Sequence, residues 1–301
     1  MAALEVTGLA GYSRFHNSGR ALPIQPRAIA FDLDGTLIDY DGYLREEVAD
    51  AVRLIAKDGI KVFLITGRLE SGCERYWRKI GLDTPVATCN GARVGFPGKE
   101  PFLHIRLGET AREIVLALEA EENLYVNYYI DTQVYSRSDG PVRDWYSRVF
   151  SPVEKAADRR AILSRPLPTK CLCITPENEY ARLNAKFIEK LGDHATITNS
   201  NDNFIEILPP GADKSVGLLA LAEWSGIAAG DFIAVGDGLN DVPMFRAAGF
   251  AISFESCDSR LAEKVDMLIP PLWEGGMEIL LKFILGLSDS GRFPAKRSVR
   301  L

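Results

Sequence analysis

Two aspartates stand two positions apart where a short apolar segment ends, in the sequence FDLDGT at 31–36. Because alternate residues of an extended chain point to the same side, the carboxylates of Asp32 and Asp34 can face one pocket. One could attack a phosphorus atom while the other transfers protons, and Gly35 lets the backbone turn sharply beside a ligand. A plain Asp-Gly turn is the weaker interpretation, because four fixed residues match by chance in about one of 500 such chains.

A second acidic pair follows another apolar segment, in the sequence GDGLND at 236–241. Hard divalent cations such as Mg²⁺ take oxygen ligands. Asp237 at the end of a strand beside Asp32 could complete such a site. Asn240 and Asp241 could instead cap the next helix, and a cap beside a metal can serve both purposes.

A hydroxyl and an ammonium group could complete the site. Thr66 ends a second apolar strand and could bond a phosphoryl oxygen, and Lys214 is a compact positive charge suited to phosphate. Either residue alone is more often structural or solvated. Together, however, the carboxylates would repel an anionic substrate unless Lys214 and a divalent cation offset them. The charge count therefore predicts metal-dependent phosphoryl transfer.

The elements that must position these residues alternate between strand and helix patterns. Buried-strand patterns at 27–36, 61–68 and 84–92 alternate with helical spacing at 44–57 and 70–80. This alternation predicts an α/β fold, a Rossmann-like doubly wound parallel sheet with helices on both faces. Ligands of such sheets bind outside the carboxyl ends of the strands. The polar residues at those ends are Asp32, Asp34, Thr66, Arg68 and Asn90.

The pattern of buried apolar strands alternating with helices stops after residue 92 and returns near residue 209. Aromatic strand patterns at 124–130 and 133–138 precede further strands and a helix, and the buried-strand style returns at 231–241. One domain is therefore expected to be split by an inserted mixed α+β cap domain. The predicted division is an N-terminal extension at 1–26, a core at 27–92 and 209–287, a cap at 93–208 and a tail at 288–301.

Composition excludes several classes of protein. The chain has 301 residues, 47% of them hydrophobic, and its 35 basic and 41 acidic residues give a net charge of −6. We expect no nucleic-acid or membrane partner from this balance, and no apolar run is long enough for a membrane span. Five scattered cysteines predict free thiols and a cytoplasmic protein. We expect a monomer or a homodimer.

The four motifs are the aspartate pair at 32 and 34, Thr66, Lys214 and the acidic pair at 237 and 241. They occur in the order found in the haloacid dehalogenase superfamily, which residues 27–285 resemble. The resemblance implies that Asp32 is the nucleophile and that Asp34 is the acid that protonates the leaving group and then the base that activates water. Thr66 matches the second motif and Lys214 the third. The implied Mg²⁺ ligands are Asp32, the Asp34 backbone carbonyl and Asp237, with Asp241 supporting them or binding through water.

Spacing narrows the resemblance to the Cof-type phosphatases. Thr66 follows Asp32 by 34 residues, too few for a cap, whereas Lys214 follows Thr66 by 148. The sequences TGR at 66–68, NGA at 90–92 and GDGLNDVPMF at 236–245 are similar to those of that subfamily. The resemblance implies a phosphate site made of Gly35, Thr66, Arg68, Asn90, Gly91, Lys214 and Asn240.

The expected function is therefore that of a Mg²⁺-dependent phosphomonoesterase acting on a small phosphorylated metabolite, with a sugar phosphate favoured. Asp34 favours phosphate chemistry over dehalogenation, because the dehalogenase members lack an acid two residues after the nucleophile. Two alternatives stay open. A sugar-phosphate mutase similar to phosphomannomutase would use the same covalent step, and a catalytically silent protein would only bind the phosphometabolite.

Overall fold

Two β-sheets with their helices make up the part of the chain that the computed structural model describes, residues 26–39 and 41–285. Apart from Pro26, the predicted extension at 1–26 and the tail at 288–301 lie outside these residues. The strands are β1 Ala28–Phe31, β2 Lys61–Ile65, β3 Val86–Thr88, β4 Arg93–Gly95, β5 Leu103–His104, β6 Tyr125–Ile130, β7 Gln133–Ser136, β8 Val153–Lys155, β9 Lys170–Ile174, β10 Thr196–Thr198, β11 Phe204–Leu208, β12 Phe232–Val235, β13 Phe250–Phe254 and β14 Met267–Ile269. The α-helices are α1 Glu46–Lys57, α2 Glu70–Ile80, α3 Glu109–Glu121, α4 Pro141–Val149, α5 Arg159–Leu163, α6 Tyr180–Leu191, α7 Lys214–Ser225, α8 Val242–Ala247, α9 Ser259–Ala262 and α10 Gly276–Leu285.

The large sheet has eight strands in the order β14-β13-β12-β1-β2-β3-β4-β5. The six strands from β14 to β3 are parallel, and β4 and β5 continue the sheet antiparallel. These two strands belong to the large sheet although they fall within the predicted cap at 93–208. The place where the chain leaves the large sheet is therefore residue 104, some distance after the predicted boundary.

Both faces of the large sheet are covered, which explains why its central strands are apolar throughout. Residues of α1, α2 and α10 pack in one core cluster with alternate residues of β1, β2 and β12. Residues of α7, α8 and α9 pack with the other alternate residues on the opposite face. Helix α2 stops at Gly81, which adopts a left-handed φ of 80° and donates its N–H to the last turn.

The second sheet has six strands in the order β10-β11-β9-β6-β7-β8, antiparallel except for the β7–β8 pair. Helices α3 and α6 cover one face in a separate core cluster. The other face contributes a smaller cluster that also includes Leu69, Cys89 and Ala92 from the large sheet's loops. The predicted fold class, a parallel core with an inserted α+β unit, is confirmed.

Two further sequence-based expectations concern membranes and thiols. No helix within residues 26–39 and 41–285 is both long and apolar enough to cross a membrane. All five cysteines are free, as predicted, and only Cys257 is not fully buried.

Helix α7 lies unusually close to the loop after β3 because two glycines face each other. A Cβ atom on Gly217 would lie 2.8 Å from Ala87 Cβ and 2.9 Å from Gly91 Cα. A Cβ atom on Gly91, whose φ is 85°, would lie 2.4 Å from the Asp213 carbonyl oxygen. The first turn of α7 can therefore rest directly on the carboxyl end of the sheet.

This contact predicts the effect of adding one methyl group. We expect Gly217→Ala to lower the free energy of unfolding by about 1–3 kcal/mol, because overpacking here displaces backbone as well as side chains. Gly230→Ala is the matched control, since its Cβ would meet no atom within 4 Å. Urea denaturation measures both variants, and equal midpoints would show that α7 is not held by this contact.

Candidate active site

A cleft of about 820 Å³ lies between the carboxyl ends of the large sheet and the second sheet. The large sheet contributes Asp32, Asp34, Arg68, Asp237 and Asn240 to its wall. The residues contributed by the second sheet and its helices include Tyr129, Trp145, Phe150, Lys170, Leu172, Phe204 and Glu206. The cleft is thus acidic on one side and mixed aromatic and charged on the other.

A buried ammonium group lies between two buried carboxylates at the bottom of the cleft. Lys214 Nζ is 2.5 Å from Asp32 Oδ1 and 2.5 Å from Asp241 Oδ1, and Lys214 is only 1% exposed. Lys214 is the first residue of α7, and the preceding Asp213 caps the helix by accepting the Ser215 N–H at 2.8 Å. The cap and the close glycine contact together direct the lysine to the end of β1.

The protonation of this group follows from burial and mutual attraction. Burial raises the pKa of Asp32 well above its usual value, which Lys214 opposes and the nearby carboxylates reinforce. Burial alone would lower the pKa of Lys214, but attraction from Asp241 and Asp32 raises it instead. The lysine is therefore a permanent cation of the site.

Three carboxylates could hold a metal ion. Oxygens of Asp32, Asp237 and Asp241 all lie within 4.8 Å of one another. Gly35 makes room for this cluster, because a Cβ atom there would lie 2.1 Å from Asp237 Oδ2. An all-oxygen, anionic donor set suits a hard divalent cation such as Mg²⁺. The Asp34 side chain is not part of this cluster.

Arg68 holds the Asp34 carboxylate with a two-pronged ion pair. Its Nε donates to Asp34 Oδ2 at 2.8 Å, and its Nη2 donates to Oδ1 at 2.6 Å. Burial alone would lower the pKa of the Arg68 guanidinium, but Asp34 raises it. Thr66 Oγ1 accepts the Arg68 backbone N–H at 3.1 Å, which shapes the turn after β2. The guanidinium predicted to bind phosphate is thus occupied by a carboxylate.

The remaining predicted phosphate-binding residues surround the loop after β3. Cys89, Asn90 and Gly91 all have positive φ, between 51° and 85°, so the loop coils tightly. Asn240 Nδ2 donates to Asn90 Oδ1 at 3.4 Å. The structure therefore brings every predicted site residue to the carboxyl end of the sheet, but Gly91 faces α7 and the Asn90 amide is turned toward the second sheet.

Comparison with known proteins identifies the family. A family profile described as haloacid dehalogenase-like hydrolase matches residues 29–278. The chain belongs to this family. The resemblance and the enzyme class predicted from the sequence, a phosphatase of this superfamily, are confirmed.

Two relatives of this hydrolase are named as phosphatases. It is 26% identical over 285 residues to 5-amino-6-(5-phospho-D-ribitylamino)uracil phosphatase YwtE of Bacillus subtilis, covering 86% of this chain and 98% of the relative. It is 28% identical over 224 residues to the HMP-PP phosphatase of Cronobacter sakazakii, covering 73% of this chain and 80% of the relative.

Solved structures share the fold of the hydrolase. A haloacid dehalogenase-like hydrolase from Bacteroides thetaiotaomicron superposes with a TM-score of 0.77 at 20% identity, covering 86% of this chain and 100% of that one. One from B. subtilis has a TM-score of 0.75 at 23% identity, covering 85% and 99%.

A second buried ion pair in the hydrolase was not predicted. Lys170 Nζ lies 3.0 Å from Glu206 Oε2 and donates to the Gly67 carbonyl oxygen at 2.6 Å, and both side chains are only 2% exposed. Glu206 also accepts a hydrogen bond from the Asn90 amide. The available signal was Glu206 itself, the one charged residue of the otherwise apolar strand β11.

The raised pKa of Asp32 predicts a stability difference that depends on pH. The folded protein binds more protons than the unfolded chain above the usual aspartate pKa of 3.8, so ionised Asp32 costs stability that increases with pH. We expect Asp32→Asn to be more stable than the wild type at neutral pH in the presence of a chelator. The difference should shrink as the pH falls toward 3.8.

Urea denaturation at several pH values from about 4 to about 8 measures this difference. Asp58→Asn is the matched control, because Asp58 is exposed at the end of α1. An Asp32→Asn variant that is no more stable than the wild type at any pH would contradict the interpretation that the burial of the Asp32 carboxylate costs stability.

Proposed function

We propose that this hydrolase is a Mg²⁺-dependent phosphomonoesterase that forms an aspartyl-phosphate on Asp32. The observation that carries the proposal is the buried contact of Lys214 with Asp32, beside two further carboxylates that could bind a divalent cation. A lone buried carboxylate would be protonated. Here a fixed cation opposes the rise in the pKa of Asp32, and a divalent cation bound beside it would oppose the rise further and favour the anion that a nucleophile requires.

In the first step, a carboxylate oxygen of Asp32 forms a bond to phosphorus and the ester P–O bond breaks. The electron pair of that bond stays on the leaving oxygen, which takes a proton from Asp34. In the second step, water attacks the phosphorus, gives its proton to Asp34, and releases Asp32 and inorganic phosphate. The protein's contribution is mainly position and charge, as is typical of phosphoryl transfer.

Asp32, Asp237 and the Asp34 backbone carbonyl would hold the Mg²⁺ ion, with Asp241 supporting them. When bound, the ion would neutralise part of the negative charge of the phosphoryl group. Lys214 supplies the protein's own positive charge, and Asp241 accepts the Gly238 N–H at 2.8 Å, which orders the loop after β12.

A small phosphorylated metabolite is the substrate class that the cleft suits. Its volume of about 820 Å³ is in the range of small-molecule sites. Trp145, which is 37% exposed, and Phe150 give it an apolar wall, and Ser200 and Asn201 add polar groups. A sugar phosphate, with apolar ring faces and hydroxyl groups, matches both. The phosphatase names of the relatives, one for a phosphoribitylamino-uracil, support a phosphorylated small molecule more generally.

We also propose that the second sheet and its helices are a cap that covers the site. The cap contributes the walls that contact the leaving group, whereas the large sheet contributes the residues that contact the phosphoryl group. This division assigns substrate choice to the cap and chemistry to the core.

Phosphate release tests the proposal directly. The wild type, Asp32→Asn and Asp58→Asn are compared with Mg²⁺ on sugar phosphates, pyridoxal phosphate, flavin mononucleotide and 4-nitrophenyl phosphate. We expect the wild type and Asp58→Asn to release phosphate and Asp32→Asn to lose at least about 10³-fold in kcat, because an amide is a poor nucleophile. Equal turnover by Asp32→Asn would exclude the covalent step. Isomerised product without free phosphate would identify a mutase instead.

Metal binding predicts a second, independent result. Mg²⁺ added to chelator-treated wild type should raise its melting temperature, because a ligand that binds only the folded state stabilises it. Asp237→Asn removes one carboxylate of the cluster and should show a smaller rise, whereas Asp58→Asn should match the wild type. Differential scanning fluorimetry measures the rise without relying on activity. An identical rise in Asp237→Asn would place the metal elsewhere.

A further inference from the structure

One guanidinium group joins the two sheets at the catalytic cleft. Arg68 follows β2 of the large sheet, and its Nε and Nη2 hold the Asp34 carboxylate. Its third nitrogen, Nη1, donates to the carbonyl oxygens of Val149 at 3.1 Å and Phe150 at 3.4 Å, at the end of α4 in the cap. The guanidinium also lies 4.8 Å from the centre of the Phe150 ring.

The end of α4 can reach Arg68 only because residue 72 is a glycine. A Cβ atom on Gly72 would lie 2.6 Å from Ser151 Oγ and 2.8 Å from the Phe150 carbonyl oxygen. Gly72 is the third residue of α2, where alanine forms a helix more readily than glycine. The glycine is therefore explained by the close contact with the cap and not by the helix.

We propose that Arg68 is a positioning residue: it aligns Asp34 for proton transfer to the leaving group and is itself held in place by the α4 carbonyls of the cap. The inference rests on the proposed function of Asp34. All three guanidinium nitrogens have protein partners, so the group differs from the free phosphate ligand that the family resemblance implies. The Asp34 side chain stays 38% exposed and can still face the cleft.

The alignment of Asp34 matters for the proton that the leaving group receives. As the ester P–O bond breaks, the leaving oxygen gains an electron pair and takes its proton from Asp34. A carboxylate has about four acceptor positions, and the guanidinium fork occupies those on one side. The opposite side is then directed at the leaving group. The rate with a good leaving group depends little on this proton transfer, whereas the rate with a poor leaving group depends on it strongly.

Phenyl phosphate and 4-nitrophenyl phosphate, two substrates of nearly equal size, can distinguish whether Arg68 aligns Asp34 or binds the phosphate group. Phenyl phosphate has the poorer leaving group, because phenol is a much weaker acid than 4-nitrophenol. The ratio kcat/KM reports events up to the release of the leaving group. We expect Arg68→Met to lower kcat/KM for phenyl phosphate by about 10²-fold and for 4-nitrophenyl phosphate several-fold at most. Arg68→Lys should show the same selectivity, because an ammonium group cannot form the fork.

Gly72→Ala tests the cap's part with Arg68 left intact. The added methyl group should push the 150–151 segment away and produce the same selective loss, smaller in size. Arg78→Met, on the exposed face of α2 where Arg78 pairs with Glu74, should match the wild type on both substrates. Gly230→Ala is the control for adding a methyl group in open space.

Other outcomes would overturn the inference. If Arg68→Met lowers kcat/KM equally for both substrates and does so through a higher KM, Arg68 is a phosphate ligand. Unchanged ratios in Arg68→Met would remove it from the reaction, and an unchanged ratio in Gly72→Ala would remove the role of α4. If Arg68→Met fails to fold, Gly72→Ala decides the question alone. Failure of the wild type to hydrolyse either ester would instead refute the proposed function.

Discussion

A buried lysine between two buried aspartates is the constraint on which the rest of this structure depends. Ion pairs in a low-dielectric site are expensive unless their geometry is close and their remaining positions are satisfied. Lys214 meets two carboxylates at once, and Asp237 lies beside them, so the described site holds more negative than positive charge. Such an excess is tolerable in a protein whose site receives a cation.

Several features of the large sheet serve this arrangement. The parallel pairing of β12 with β1 places the loops that carry Asp237 and Asp32 side by side. The missing side chain of Gly35 lets those loops touch, and the paired glycines of α7 and the loop after β3 bring Lys214 over the strand ends. Together, these features bring the charged side chains into one pocket.

Much of this could be predicted because it depends on local pattern. The predicted helix at 70–80 matches α2, and the strand patterns near Asp32 and Asp237 correspond to β1 and β12. The short antiparallel strands β4 and β5 were missed, because segments of two or three residues carry no periodicity. Contacts between the two sheets were missed for another reason. Pairs such as Arg68 with the α4 carbonyls join residues far apart in the chain, and no spacing rule reports them.

Within residues 41–285 the chain passes between the two sheets twice, through residues 105–108 and residues 209–213. Both connections are short, so a rotation of the second sheet against the large sheet would turn about the line that joins them. Three hydrogen bonds join the two sheets at the cleft besides these connections: Lys170 donates to the Gly67 carbonyl oxygen, the Asn90 amide donates to Glu206, and Arg68 donates to the Val149 carbonyl oxygen. Opening the cleft by such a rotation would therefore break hydrogen bonds that join the two sheets, and closing it would form them again.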